Sequence, residues 1–160
     1  IKHLKNAFEL RLPDYVKQCH GDLKTKNIWI KAIEAGTTPW QSVHILDAVD
    51  FNESYRNIDV LADLAMLVVD VEANGGKGLG SYLSETYLSL TEQTEDKNAR
   101  IVLAYYLLEK AIVCAIVCLV YDRDNKQLGL RFLELACGYA KDLRKKIQLV
   151  PKKSLFHAVR

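Results

Sequence analysis

The chain lacks an excess of charge of either sign. It has 22 lysine and arginine residues against 20 aspartate and glutamate residues, a net charge of +2 in 160 residues. Proteins that bind nucleic acid or an acidic membrane through charge usually carry a strongly basic surface. The composition therefore gives no reason to expect either partner. With 49% apolar and 26% charged residues, it is typical of one folded domain with a substantial core.

Long apolar runs and a disulfide pattern are also lacking. The longest apolar run, AIVCAIVCLV at 111–120, is well short of the roughly 20 residues that cross a bilayer, so a buried core helix is expected there. The N-terminal IKHLKNAFEL has no signal-peptide pattern. The four cysteines, Cys19, Cys114, Cys118 and Cys137, indicate a reduced, cytoplasmic protein. We expect Cys114 and Cys118 to pack in the core rather than bind a metal.

Two short stretches have the composition of β-strands. IWIKAI at 28–33 and SVHILDAV at 42–49 are rich in β-branched and aromatic residues. EAGTTPWQ at 34–41 supplies the glycine and proline of a connecting turn. We expect a hairpin that places the loop before its first strand at the same end as Asp47, near the end of its second strand.

In the rest of the chain, apolar residues recur with the period of α-helices. Asp59 is placed to cap the helix that follows it, and the glycines of NGGKGLG suit a left-handed helix end. NGGKGLG lacks the residue order of a phosphate-binding loop, so we interpret it as a turn. The sequence therefore predicts a mainly α fold with a short β-hairpin. The predicted helices are 2–12, ended by Pro13 and Asp14, and then 59–73, 79–90, 94–121 and 128–149.

The polar stretch CHGDLKTKN is the first candidate for chemistry. His20 lies two residues before Asp22, and four residues separate Asp22 from Asn27. This spacing matches that of the catalytic Asp and the metal-binding Asn in phosphoryl-transfer kinases. A second acidic stretch, HILDAVDFNE, follows with Asp47 and Asp50. Phosphoryl transfer needs a carboxylate to accept a proton and oxygen ligands for a divalent cation, and these two stretches supply both.

HGDLKTKN resembles the catalytic loop of the aminoglycoside phosphotransferase-like kinases, whose common form is HGDLHxxN. HILDAVDFN, followed by RNIDVLADLAML, is similar to the metal-binding segment and next helix of that family. The resemblance is closest to a bacterial subgroup that is often fused to a P-loop ATPase-like domain. It implies the C-terminal lobe of a protein-kinase-like fold over 1–150, with 151–160 as a tail or linker.

The resemblance also implies roles for individual residues. Asp22 corresponds to the catalytic base, and His20 would brace the catalytic loop by hydrogen bonds. Asn27 and Asp47 correspond to the ligands of the Mg²⁺ that holds ATP or GTP. Asp50 corresponds either to a further metal contact or merely to an acid of the loop. The acceptor would be a small-molecule hydroxyl on a sugar, an amino alcohol, an aminoglycoside or a similar compound. The downstream acids Asp59 and Asp63 are expected to cap the next helix or to brace it against the loop.

Two departures from the family pattern leave alternatives open. Lys24 stands where the family has a second histidine, and only 18 residues precede Cys19, too few for the five-stranded nucleotide-binding lobe. We therefore expect that lobe to be missing, so that this piece alone is inactive. One alternative is a non-catalytic, pseudokinase-like module that binds a partner. A weaker one is a metal-dependent phosphohydrolase built on Asp22, Asp47 and Asp50, which lacks a supporting histidine cluster.

Overall fold

The structure is a computed structural model that describes residues 2–32 and 38–148. It is mainly helical with two small antiparallel strand pairs, which confirms the predicted mainly α fold with a short β-hairpin. A π-helical turn, Val117–Tyr121, extends the fourth helix. The helices are α1 (Lys2–Tyr15), α2 (Val60–Ala73), α3 (Leu79–Leu90), α4 (Lys97–Ile116) and α5 (Lys126–Gln148), and the strands are β1 (Val16–Gln18), β2 (Ile28–Ile30), β3 (Val43–Ile45) and β4 (Asn57–Asp59).

The predicted hairpin is present but its strands are shorter than expected. β2 and β3 pair antiparallel, with Ile28 opposite Ile45 and Ile30 opposite Val43. The strand predicted over 42–49 ends at Ile45, because Asp47 has a positive φ of 61° that interrupts extended backbone. β2 ends at Ile30, so Lys31 and Ala32 of the predicted first strand lie outside it. Ile33 and residues 34–37 of the predicted turn fall outside the described residues, and Pro39–Ser42 forms a short 3₁₀ helix.

The second strand pair was not foreseen. β1 and β4 pair antiparallel, with Val16 opposite Asp59 and Gln18 opposite Asn57. Each strand has three residues and includes polar side chains, so neither shows the alternation by which a strand is recognised in a sequence. This pair brings the start of α2 beside the residues that lead into the HGD stretch.

The predicted end of the first helix was wrong. We expected Pro13 and Asp14 to stop it at residue 12, but α1 continues to Tyr15 with Pro13 inside it. Proline disrupts a helix by removing one backbone N–H and by crowding the carbonyl four residues before it. Residue 13 therefore donates no bond to the carbonyl of residue 9, and the helix ends two residues later, at Tyr15.

Helix α2 lies at the centre of the fold. It packs against α3 and α4, and α4 packs in turn along α5. The main cluster of buried apolar side chains includes Leu61, Val68, Leu88 and Val102. As predicted, Asp59 caps α2 by accepting a hydrogen bond from the backbone N–H of Leu61 at 2.9 Å.

A buried ion pair joins α1 to the start of α2. The Arg11 guanidinium, which is 2% exposed, donates to both carboxylate oxygens of Asp59 at 3.0 and 3.2 Å. It also donates to the side-chain oxygen of Gln93 at 2.7 Å. Removing Arg11 would leave the Asp59 carboxylate buried without this partner, a loss that typically costs about 3–5 kcal/mol. Removing Asp59 would leave Arg11 with Asp96, 3.8 Å away, as its remaining ionic partner. This bidentate pair therefore fixes the cap of the helix that carries the candidate site.

The segment Lys97–Tyr121, which is α4 with its π turn, is long and apolar enough to cross a membrane by length and composition. Its apolar window has a mean hydropathy of 2.1, and 44% of that window is buried in the fold. The inner face packs on α2 and α5, as a core helix would. The expectation that the protein has no membrane partner stays a prediction.

Candidate active site

The loop that contains HGD is held against α2 by one carboxylate. Asp63, which is 8% exposed, accepts hydrogen bonds from the backbone N–H groups of His20 at 2.5 Å and Gly21 at 3.0 Å. A carboxylate that accepts from two backbone donors makes bonds roughly twice as strong as neutral ones. The predicted bracing role of Asp63 is therefore confirmed.

A second carboxylate on α2 fastens the far part of the same loop. Asp70 accepts from the backbone N–H of Thr25 at 2.8 Å and from its hydroxyl at 2.5 Å. Asp63 and Asp70 are seven residues apart and so lie on one face of α2, two turns from each other. Sequence analysis missed Asp70. The available signal was a pair of acids on one face of an otherwise apolar, buried helix.

Gly21 is required at its position for two reasons. Its φ is +89°, a conformation that residues with a Cβ rarely adopt. A Cβ at this residue would also lie 2.8 Å from the Tyr55 carbonyl oxygen and 3.0 Å from a Val49 methyl group. The central residue of the HGD motif therefore lets the loop pass close to the chain that follows the hairpin.

His20 connects the loop to the end of β3. Its Nε2 lies 2.8 Å from the Leu46 carbonyl oxygen, and its Nδ1 lies 3.3 Å from the backbone N–H of Asp22. One neutral tautomer satisfies both contacts, with Nε2–H donating and Nδ1 accepting. The prediction that His20 braces the loop is confirmed by this geometry.

Backbone hydrogen bonds join the same two segments. The Leu46 N–H donates to the Asn27 carbonyl oxygen at 2.9 Å, and the Val49 N–H donates to the His20 carbonyl oxygen at 3.0 Å. Asp47 lies between these two donors in the chain. The structure thus brings the residue range 20–27 and the residue Asp47 to one end of the hairpin, as the sequence predicted.

Asn27 is oriented by a bond to the loop itself. It is 5% exposed, and its side-chain nitrogen donates to the Asp22 carbonyl oxygen at 3.1 Å. This bond uses the amide nitrogen of Asn27. The amide oxygen, which is the atom that a hard cation binds, does not take part in it. The side chain is therefore held in place by the loop.

The two acids after the hairpin are both exposed. Asp47 has a φ of 61°, in the left-handed region that aspartate tolerates better than most residues. Residues held in that region cluster at binding and catalytic sites, where neighbouring structure enforces them. Asp50 lies in the loop just after Val49 and has an ordinary, solvated position.

Asp22 forms an ion pair with the residue that departs from the family pattern. The Lys24 ammonium lies 2.7 Å from Asp22 Oδ1, and both side chains are about one-quarter to one-third exposed. Burial alone lowers the pKa of Lys24, but the hydrogen bond and charge of Asp22 outweigh it and raise that pKa above its usual value. Lys24 is therefore a cation fixed beside the candidate base.

The acids do not form a carboxylate cluster. In residues 2–32 and 38–148, no group of three or more His, Cys, Asp or Glu side chains is arranged to hold a metal ion. This finding removes support from a hydrolase site built on Asp22, Asp47 and Asp50, and it gives Asp50 no support as a further ligand. A magnesium site that uses the Asn27 amide oxygen, the Asp47 carboxylate and nucleotide phosphates needs fewer protein ligands, and the residues present fit that arrangement.

The predicted core packing of Cys114 and Cys118 is confirmed. All four cysteines are free thiols. Cys114 and Cys118 are buried in a second apolar cluster, which also contains Val69 and Phe132. Burial raises the pKa of Cys114 to about 11, which leaves it unreactive at neutral pH.

Comparison with known proteins adds no family assignment. No protein-family model matches the chain, and no curated protein or solved structure is significantly similar to it. The functional interpretation therefore depends on the site itself.

Proposed function

We propose that the chain is the catalytic lobe of a small-molecule kinase, corresponding to the C-terminal lobe of a protein-kinase-like fold over 1–150. The full-length protein would transfer the γ-phosphoryl group of ATP or GTP to a hydroxyl, with Mg²⁺, in the cytoplasm. The observation that carries this proposal is the set of hydrogen bonds joining His20 and Asn27 to Leu46. These bonds hold the candidate base and the candidate metal ligands at one end of the hairpin.

Asp22 is the proposed general base. The acceptor hydroxyl oxygen forms a bond to the γ-phosphorus, the bond from that phosphorus to the β–γ bridging oxygen breaks, and the hydroxyl proton passes to the carboxylate. Lys24 binds Asp22 Oδ1, so Oδ2 is the oxygen that a hydroxyl can approach. The nucleoside diphosphate leaves with the electron pair of the broken bond.

Asn27 and Asp47 are the proposed ligands of the cation. Bound Mg²⁺ would offset the negative charge of the phosphates. The protein contributes positioning. The Asn27 amide is fixed by Asp22, the backbone beside Asp47 is fixed by Leu46 and Val49, and the whole loop is fixed to α2 by carboxylates. Such preorganisation is the main contribution that a protein makes to phosphoryl transfer.

An exposed apolar patch favours a second lobe. Trp29, Ile30 and Phe51 are 63%, 74% and 78% exposed, and Ile45 and Leu46 are more than half exposed. These residues lie on the hairpin and the chain after it, at the candidate site. Trp29 and Ile30 are consecutive residues of β2, so apolar side chains are exposed on both faces of the hairpin. So many exposed large apolar side chains in one short segment favour a covering partner. We propose that the missing nucleotide-binding lobe covers them, in a protein that, by resemblance, also carries a P-loop domain.

The second candidate function is a non-catalytic module that binds a partner through the same patch. The ion pair between Lys24 and Asp22 favours it, because the ammonium already occupies one oxygen of the base. Calorimetric titration, with Mg²⁺ and ATP, of the protein that contains this chain and its nucleotide-binding lobe separates the two. Measurable affinity for ATP supports the kinase, and its absence supports the partner-binding module.

Phosphoryl transfer itself is tested with the protein that contains this chain and its nucleotide-binding lobe. A mixture of small alcohols, amino alcohols and sugars is incubated with ATP labelled at the γ-phosphate, and labelled phosphate esters are measured. The variant Asp22→Asn is expected to lose transfer and to keep nucleotide binding. Asp14→Asn, an exposed acid on α1, is the matched control. Undiminished transfer by Asp22→Asn overturns the role of this base.

A further inference from the structure

A cavity of about 420 Å³ lies between α2, α3, α4 and α5, and its described lining includes no residue of the loop 19–27. Its volume falls within the range of small-molecule sites in proteins, about 300–1,000 Å³. Glu72 lines it from α2, two residues after Asp70, and therefore lies on nearly the opposite side of that helix from the acid that holds the catalytic loop. The cavity is thus separate from the candidate active site. Its apolar lining comes from Val68, Leu88, Leu103, Ala104 and Leu107.

The charged side chains around the cavity leave one carboxylate without a cation. Arg100 donates to both carboxylate oxygens of Glu85 at 2.8 Å, and the Lys146 ammonium lies 3.5 Å from Asp142. Among the described residues, Glu72 has no lysine, arginine or histidine within ion-pair distance. Three carboxylates against two cations give the lining a net charge of −1, and Glu72 carries that charge.

The Glu72 carboxylate is fixed in a way that leaves one oxygen available. Its Oε2 accepts a hydrogen bond from the Tyr139 hydroxyl of α5 at 2.6 Å. Burial, and then the hydrogen bond and the charge of Glu72, raise the pKa of Tyr139, so the phenol stays protonated and remains the donor. Its Oε1 accepts no hydrogen bond from a described residue and lies over Gly80 of α3, where a Cβ would collide with it. Oε1 is therefore a fixed acceptor for a donor that enters the cavity.

Ser84 adds a buried hydroxyl to the same wall. It is 8% exposed and lines the cavity, and its hydroxyl makes no hydrogen bond to any residue in 2–32 or 38–148. Gly80 and Ser84 are one turn apart on the same buried face of α3, so Ser84 is the next residue on the face that Glu72 Oε1 contacts. Buried polar groups in folded proteins nearly always have a partner, and this hydroxyl is placed to receive one from a ligand.

We infer that this cavity binds a small organic cation, namely a primary ammonium group attached to an apolar body. An ammonium group has three donors and no acceptor, which matches the Glu72 carboxylate and the Ser84 hydroxyl. The carbon skeleton lies against Val68 and Leu103 and buries apolar surface. An anion would instead be buried beside a carboxylate that no cation offsets, which is costly. The inference is independent of the proposed kinase function, and this ligand is not the phosphoryl acceptor.

Three probes of similar shape separate charge from apolar contact: 2-phenylethylamine, 2-phenylethanol and 3-phenylpropanoate. Their dissociation constants are measured by saturation-transfer NMR with the whole protein that contains this chain. Hydrogen bonds to a charged group are stronger than neutral ones, so the amine is expected to bind about tenfold more tightly than the alcohol. The carboxylate probe should not displace the amine. Absence of amine binding, or equal binding of the amine and the alcohol, overturns the inference.

Replacing the unpaired carboxylate gives a second test. Glu72→Gln keeps an oxygen acceptor for Tyr139 but removes the charge, so it should weaken amine binding about tenfold and leave alcohol binding nearly unchanged. Glu134→Gln, an exposed acid of α5 that does not line the cavity, is the matched control and should change neither affinity. Amine binding that is unchanged in Glu72→Gln overturns the inference.

Filling the cavity tests its location. Ser81 is an exposed residue of α3 that lines the cavity, and Ser81→Trp is expected to weaken binding of both the amine and the alcohol. Ser89→Trp, at an exposed position of the same helix outside the lining, should bind both as before. Equal amine affinity in these two variants contradicts the placement. No measurement needs nucleotide or Mg²⁺, so loss of phosphoryl transfer tells against the kinase alone, and loss of amine binding against the cavity alone.

Discussion

The imidazole Nε2 of His20 lies 2.8 Å from the carbonyl oxygen of Leu46, 26 residues further along the chain. This contact links the loop that carries Asp22 to the segment that carries Asp47. Two backbone hydrogen bonds, from Leu46 to Asn27 and from Val49 to His20, join the same two segments. Three connections between two short segments make their relative position well defined without any bound ligand.

Replacing His20 with alanine should loosen this link. The loss of one hydrogen bond typically costs about 1 kcal/mol, and the effect should be local. We expect faster hydrogen exchange at the Leu46 and Val49 amides, measured by NMR, with little change in the α2 amides. His44→Ala, on β3 opposite Trp29, is the control and should leave these two amides protected. Unchanged exchange in His20→Ala would show that the imidazole does not hold the segments together.

The two glycines at positions 21 and 138 should respond in opposite directions to alanine. At Gly21 the positive φ and the 2.8 Å approach to the Tyr55 carbonyl oxygen predict a loss of about 1–3 kcal/mol in the free energy of unfolding. Gly138 lies inside α5 with open space around it, so alanine should stabilise by about 0.5–1 kcal/mol. Urea unfolding measures both. Equal effects of the two substitutions would contradict the conformation assigned to the HGD loop.

The ion pair of Lys24 with Asp22 should make stability depend on alkaline pH. The pKa of Lys24 is higher in the folded state than in the unfolded state, so its contribution is fully present below the unfolded value and is lost as pH rises through the folded value. Lys24→Met should therefore be less stable than the unchanged protein near neutral pH. The difference should shrink above pH about 10.4, the usual lysine value.

Urea unfolding at several pH values tests this pattern, with Lys26→Met as the control, since Lys26 is exposed in the same loop. A stability difference for Lys24→Met that is constant across the alkaline range would mean that the pair with Asp22 does not contribute to folding. An equal pH dependence in Lys26→Met would mean that any lysine in the loop has the same effect.

The sequence predicted those features that depend on neighbouring residues. Asp59 as a helix cap and the hairpin of β2 and β3 follow from local composition, and both were confirmed. The continuation of α1 through Pro13 was missed because proline usually ends or kinks a helix, whereas α1 runs on for two residues to Tyr15. The pairing of β1 with β4 was missed because it joins two three-residue strands separated by more than 30 residues.

In the site, too, features set by neighbouring residues were predicted, and contacts between distant segments were not. The spacing of His20, Asp22 and Asn27 is local, and it identified the loop. The attachment of that loop to α2 through Asp70 depends on how a helix face meets the loop, which spacing along the chain does not specify. Lys24 was interpreted only as a departure from a family pattern, and its ion pair with Asp22 became visible only in three dimensions. The family resemblance offered Asp50 as a further metal contact or merely a loop acid, and among the described residues it belongs to no group of three or more His, Cys, Asp or Glu side chains arranged for a metal.

The central claim is that the Asn27 amide oxygen and the Asp47 carboxylate bind one divalent cation together with nucleotide phosphates. Paramagnetic broadening by Mn²⁺ in the presence of ATP, measured on the ¹⁵N-labelled protein that contains this chain and its nucleotide-binding lobe, tests this claim most directly. We predict selective broadening of amides in 22–27 and 46–50, which Asp47→Asn abolishes and Asp14→Asn leaves unchanged. Broadening that is centred elsewhere, or that persists in Asp47→Asn, would contradict the claim.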